Sequence, residues 1–220
     1  ISMKPILREE VSRLFKNSRW FLITIFALII AIIGIYLSRK ALPDSESIED
    51  PLQNILNILY YSKFIYFAPL LSTVLFSDSG MIDLESGFSC FIEQRVKKGK
   101  YHRAKFIATG LGGGLSLSFS LILLASCSIL STLIHCGFSF KSCTFISPAF
   151  LAGPFSSFIT DSQWIYYLYL SILMGFYGAC FALIGLGLSM LLENRFISIA
   201  GPVAGLWGWS FLVERTNHLP

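Results

Sequence analysis

Several stretches of this chain stay apolar for about 18 residues or longer, enough for a helix to cross a hydrocarbon core about 30 Å thick. They lie at about 20–37, 55–76, 106–135, 164–192 and 196–213. A soluble domain needs a charged surface, yet Asp, Glu, Lys and Arg make up only 14% of the residues, against about 25% in ordinary globular chains. The charges are clumped between the apolar runs. The alternative spanning architecture, a β-barrel, requires alternating segments of about ten residues, and none occur. The fold class is therefore an all-α, polytopic helical membrane protein, read as a single transmembrane domain over 1–220 with five visible spans.

Residues 3–18 precede the first span. Leu7, Val11, Leu14 and Phe15 recur at helical spacing, with Lys4, Arg8, Glu9, Arg13 and Lys16 on other faces. This pattern predicts an amphipathic helix lying in the membrane interface. The segment is too charged for a signal peptide, and no small-residue cleavage site follows the first apolar run. Lys and Arg set the orientation. Five precede the first span (Lys4, Arg8, Arg13, Lys16, Arg19) and six lie between spans two and three (Arg95, Lys97, Lys98, Lys100, Arg103, Lys105), with Arg195 on the same side. The opposite side has Arg39, Lys40, Lys141 and Arg215. The N-terminus and the segment around 77–105 are thus expected in the cytoplasm, in a multi-pass protein of the cytoplasmic membrane. Five spans leave the C-terminus outside and the chain begins with Ile, so a sixth span is expected in the intact protein. Topology accounts for the net charge of +4, which is no nucleic-acid signature.

Residues 136–163 form a mixed loop whose AFLAGPF core either lies in the interface or dips in and returns. Cys136 and Cys143 fall in it; they are either a disulfide pair or small apolar residues at a span end. Gly201-Pro202 in the last span predicts a kink or a break. Lys63 is the only formal charge within a span. It lies about six residues, or about 9 Å, from the outer end, where its stem can snorkel to the headgroups; otherwise it belongs to a polar translocation path.

No catalytic constellation stands out. The three histidines lie in different regions, and there is no HExxH, CxxC or GxSxG motif. No metal site is expected. The glycines at 110 and 112–114 suit close helix packing. Without GxxxxGK[ST] the chain carries no phosphate loop of its own, so it is not expected to be an enzyme.

The charged segment 83–105 is the remaining source of functional information. Leu84, Phe88, Phe91 and Ile92 share a helical face, and Gly99 is placed to end the helix, with Lys97, Lys98 and Lys100 complementing its dipole. A short surface helix over 83–99 is expected. Topology and amphipathicity explain that much. They leave unexplained the order Asp83-x-Glu85-x-Gly87, then Arg95, then Tyr101-x-x-x-Lys105 ahead of a glycine-containing span. That order resembles the permease subunits of type-2 ATP-binding-cassette (ABC) transporters, and the N-terminal amphipathic helix resembles that family's interface helix.

The resemblance implies that 83–99 is a coupling helix fitting a cleft on a separate ABC ATPase subunit. Two ATPases, which bind ATP and Mg, would drive two permease copies, identical or related. Asp83, Glu85, Gly87, Phe88, Phe91, Ile92, Arg95, Tyr101 and Lys105 then form the coupling segment. Glu85 and Arg95 would fix it through local ion pairs. By analogy the small size suits export of a substrate such as an antimicrobial peptide, for production or self-protection. The alternative is a membrane immunity or sensor protein that acts by direct binding without an ATPase. An intramembrane enzyme would need paired polar groups at matching depth in the spans.

Overall fold

A computed structural model describes residues 3–41, 51–96, 98–136 and 163–217. Among these, all regular structure is helical: α1 (Met3–Phe15), α2 (Arg19–Ala41), α3 (Pro51–Tyr61), α4 (Phe64–Thr73), α5 (Ser79–Glu85), α6 (Phe88–Arg95), α7 (Lys98–Cys136), α8 (Gln163–Leu192) and α9 (Arg195–Asn217). Four of these are long and apolar enough to cross a membrane: α2, α7 over Lys98–Ile134, α8 over Tyr167–Leu192, and α9 over Arg195–Arg215. At 1.5 Å per residue, the 23 residues of α2 extend about 35 Å. Phe21, Ile32, Phe176, Leu191 and Trp209 are among the large apolar side chains that point outward. A surface of that kind suits lipid rather than water.

The expected second span, 55–76, is not one straight helix. α3 and α4 are bent by 79° at Ser62–Lys63, and counting this pair as one broken span raises the number of spans to five. Lys63 takes the left-handed conformation at φ 54°, a glycine-like ending for α3. The break leaves its ammonium exposed, 4.9 Å from the centre of the Tyr60 ring, instead of inside an unbroken apolar helix.

The last span behaves in the opposite way. α9 runs through Gly201-Pro202 without a break. Proline has no N–H for the carbonyl of Ser198 one turn earlier. That carbonyl packs against Gly185 of α8, so closely that a β-carbon on Gly185 would collide with it.

The described chain divides into two compact units. The first draws on Ile1–Ile23, Tyr66–Leu117 and Gly175–Pro220. Leu14, Leu71, Leu75, Ala104, Ala108 and Leu186 are among its buried side chains. In it α7 and α8 approach so closely that a β-carbon on Gly178 would come within 2.5 Å of the Gly113 carbonyl oxygen. Of the glycines expected to serve packing, Gly112, Gly113 and Gly114 leave no room for a β-carbon against Leu14, Ala182 and Gly175, whereas Gly110 meets Leu183 at ordinary contact distance. The second unit draws on Thr24–Ile65 and Ser118–Met174. Its interior includes Ile30, Ile58, Leu121 and Leu124. It is pinned by polar contacts, among them Asn54 Nδ2 donating to Thr132 Oγ1 at 2.9 Å and Arg39 Nη2 donating to Ser131 Oγ at 2.6 Å. Cys143 and nearly all of the 136–163 loop, with the side chain of Cys136, lie outside the described residues.

Candidate functional site: a buried charge cluster at the root of a surface helix

The segment expected to be one helix over 83–99 is two helices. α5 ends at Glu85, Gly87 turns the chain at φ 70°, and α6 begins at Phe88. A left-handed residue costs an L-side chain about 1–2 kcal/mol, so glycine is the natural residue there. The helix ends at Arg95, with Val96 extended, rather than at Gly99. Gly99 instead sits in the first turn of α7, which starts at Lys98, eight residues before the expected start of the third span at 106. That extension puts Tyr101 and Lys105 on one helix, four residues apart and on the same face.

Both side chains reach Asp83. Tyr101 Oη donates to Asp83 Oδ2 at 2.5 Å, and Lys105 Nζ pairs with the same oxygen. From α1, Arg13 donates Nη2 to Asp83 Oδ1 at 2.8 Å and Nη1 to Glu10 Oε1 at 3.1 Å. Glu10 Oε2 lies 3.4 Å from Lys105 Nζ. Asp83 and Lys105 are each 1% exposed and Glu10 2%. Two carboxylates and two cations balance, as burial of charge requires. Phe76 and Tyr101 close over the ammonium, with ring centres 5.6 and 5.7 Å from Lys105 Nζ. The cluster thus fastens α1, α5 and α7 to one another.

Burial alone would push the Asp83 carboxyl up. The hydrogen bonds from Arg13, Lys105 and Tyr101 outweigh it and hold the group below its ordinary 3.8. Arg13 is held cationic, its pKa raised above the ordinary guanidinium value first by its hydrogen bond to Asp83.

A second ion pair lies one turn away. Arg19, at the start of α2, donates to both oxygens of Asp78 at 2.6 and 2.8 Å and to the Val74 carbonyl at 3.0 Å. Asn17 accepts from the Arg19 N–H at 3.0 Å and donates to the Leu75 carbonyl at 2.8 Å, fixing the corner between α1 and α2.

Of the nine expected coupling residues, three therefore meet in the cluster: Asp83, Tyr101 and Lys105. Gly87 supplies the turn. Phe88 is half-buried beneath Arg13, whose guanidinium carbon is 5.4 Å from its ring centre; Ile92 is half-buried, and Phe91 stands 68% exposed. The apolar face drawn from Leu84, Phe88, Phe91 and Ile92 is thus not a buried one, since Leu84 is also largely exposed. Glu85 pairs with Arg195, 110 positions away, through Nε at 3.1 Å and through Nη2. The local partner expected for it, Arg95, closes α6, but its side chain lies outside the described residues. Lys63 belongs to the second unit. Cys127 and Cys180 are free thiols, and no group of three His, Cys, Asp or Glu side chains is gathered for a metal among the described residues.

In the sequence Arg13, Arg19 and Arg195 read as topology-setting charges, Arg13 also as part of the polar face of α1, and neither Glu10 nor Asp78 stands out. The signal for Glu10 was present. It lies three residues after Leu7 and four before Leu14, on the edge of the apolar arc of α1, where a carboxylate needs a cation. α1 turns that edge inward, burying Glu10 and Leu14 and leaving Phe15 outside.

The chain matches no protein-family model, no curated protein and no solved structure.

Proposed function

We propose that this chain is the membrane subunit of an ABC exporter, driven by a separate ATPase that docks on α6 from the cytoplasmic side. The observation that supports this reading most is the convergence of Asp83, Tyr101 and Lys105 on one buried cluster. These residues were singled out by their order in the sequence, and a lever needs its root fixed to the spans it moves. Asp83 lies just before α6 and Lys105 within a spanning helix, so their contact ties the two ends of the segment together. The exposed Phe91 beside an open groove of about 450 Å³, lined by Glu9, Arg13, Ile82, Asp83, Ser86 and Phe88, gives a partner an aromatic anchor and a recess. ATP and Mg would be bound by the ATPase. Two ATPases and a second permease copy would complete the transporter, and a peptide is the substrate class we favour.

The direct test is co-purification with a candidate ATPase from the same gene neighbourhood, comparing the natural chain with Phe91→Asp. Phe91 is exposed, so the variant folds, and the complex is expected to be lost. Undiminished complex formation and ATP hydrolysis would overturn the docking site.

A further inference from the structure

The Glu85–Arg195 ion pair is not buried: Arg195 is 52% exposed and Glu85 40%. Exposed pairs contribute about 0–1 kcal/mol to stability, so this contact does little to hold the fold together. Its position is more informative than its strength. Glu85 is the last residue of α5, two residues before the Gly87 turn that launches α6. Arg195 is the first residue of α9, immediately after the tight turn that joins two spanning helices.

That turn is built to present Arg195. Glu193 takes φ 49°, a left-handed conformation that ends α8. The Asn194 side chain accepts from the Phe196 N–H at 2.9 Å and caps α9. Ser198 Oγ donates to the Arg195 carbonyl at 2.7 Å. Behind the turn, α5 and α8 touch where a β-carbon on Gly80 would lie 3.2 Å from Leu186. α8 and α9 touch where the Ser198 carbonyl meets Gly185. The guanidinium fork gripping both oxygens of one carboxylate then fixes orientation as well as distance.

We propose that Arg195 is a positioning residue that makes the α8–α9 turn move with the root of α6. A force applied to α6 would then enter the membrane by two routes: through the chain itself into α7, and through Glu85–Arg195 into α8 and α9. The clamp rests on the docking reading only for what applies the force; the coupling between the two elements stands or falls by itself.

Hydrogen exchange of the full chain in lipid nanodiscs decides it. The amides compared are 88–92 at the root of α6 and 196–199 in the first turn of α9, in the natural chain, Glu85→Gln, Arg195→Gln, the double neutralisation, and the charge swap Glu85→Arg/Arg195→Glu. Each single variant is expected to speed exchange in both elements by up to about fivefold, the ceiling that an exposed pair allows. The double variant should be no faster than either single one, and the swap should recover protection. The proposal is overturned if Arg195→Gln loosens 196–199 alone, if the single effects add, or if nothing changes. A companion arm repeats the comparison with the docked ATPase. Coupled exchange without any ATPase binding would retain the clamp and remove the docking reading. ATPase binding without coupled exchange would do the reverse.

Discussion

Lys105 is the fully buried cation of the charge cluster. Its ammonium faces two carboxylates in a site shut off from water, so replacing it with Met leaves Arg13 as the one cation of the cluster to balance both Asp83 and Glu10. Breaking such a buried set by removing one member typically destabilises by about 3–5 kcal/mol. Lys105→Met should accordingly lower the unfolding midpoint in detergent strongly. Glu10→Gln should lower it less, because Glu10 Oε2 makes no hydrogen bond and meets Lys105 only at 3.4 Å. Equal losses from the two variants would contradict this ranking. Asp83 adds a pH dependence with a definite sign. Its folded pKa is depressed, so the stabilisation is fully present above the unfolded value of 3.8 and is lost as pH falls through the folded one. Thermal midpoints of the natural chain and Asp83→Asn should therefore differ widely near neutrality and converge below about pH 4. A gap that stays constant down to acid pH would contradict the assignment.

At the scale of elements, the two glycines flanking α6 separate what sequence could reveal from what it could not. Gly99 reads as the helix stop because glycine takes positive φ without a Cβ clash, and Lys97, Lys98 and Lys100 suit the dipole of a helix ending there. In the structure that stop is Val96, and Gly99 is helical. Gly87, which looked like part of a motif, is the residue with the left-handed backbone. Gly87→Ala is expected to cost about 1–2 kcal/mol from backbone strain alone, since a β-carbon there meets open space. Gly99→Ala should be neutral or stabilising by up to about 1 kcal/mol, as alanine favours helix. Reversed effects in a denaturation or heat-stability series would put the turn at the wrong glycine. Sequence periodicity also cannot foresee that α3 stops at Tyr61, two residues before Lys63. The apolar pattern continues on both sides of the break, where Lys63 takes its left-handed backbone.

For the molecule as a whole, hydropathy made the helical membrane class legible because length and polarity are read directly from composition. It left the number of spans dependent on a bend that composition does not encode. The order of charged residues around 83–105 pointed to the side chains that converge on Asp83 from within that segment. It did not reveal Glu10 and Arg13 from α1 or Arg195 from α9, since contacts over 70 and 110 positions leave no local periodicity. Those distant partners bear on the central proposal, that a surface helix rooted in buried charge would be where a separate ATPase docks. A photo-crosslinking residue at position 91 in living cells tests the claim most directly, with position 211 on an outward-facing stretch of α9 as the control. The account predicts an adduct at 91, and not at 211, with an ATPase that carries a Walker motif. No adduct with such a protein at 91, or equal adducts at both positions, would contradict it.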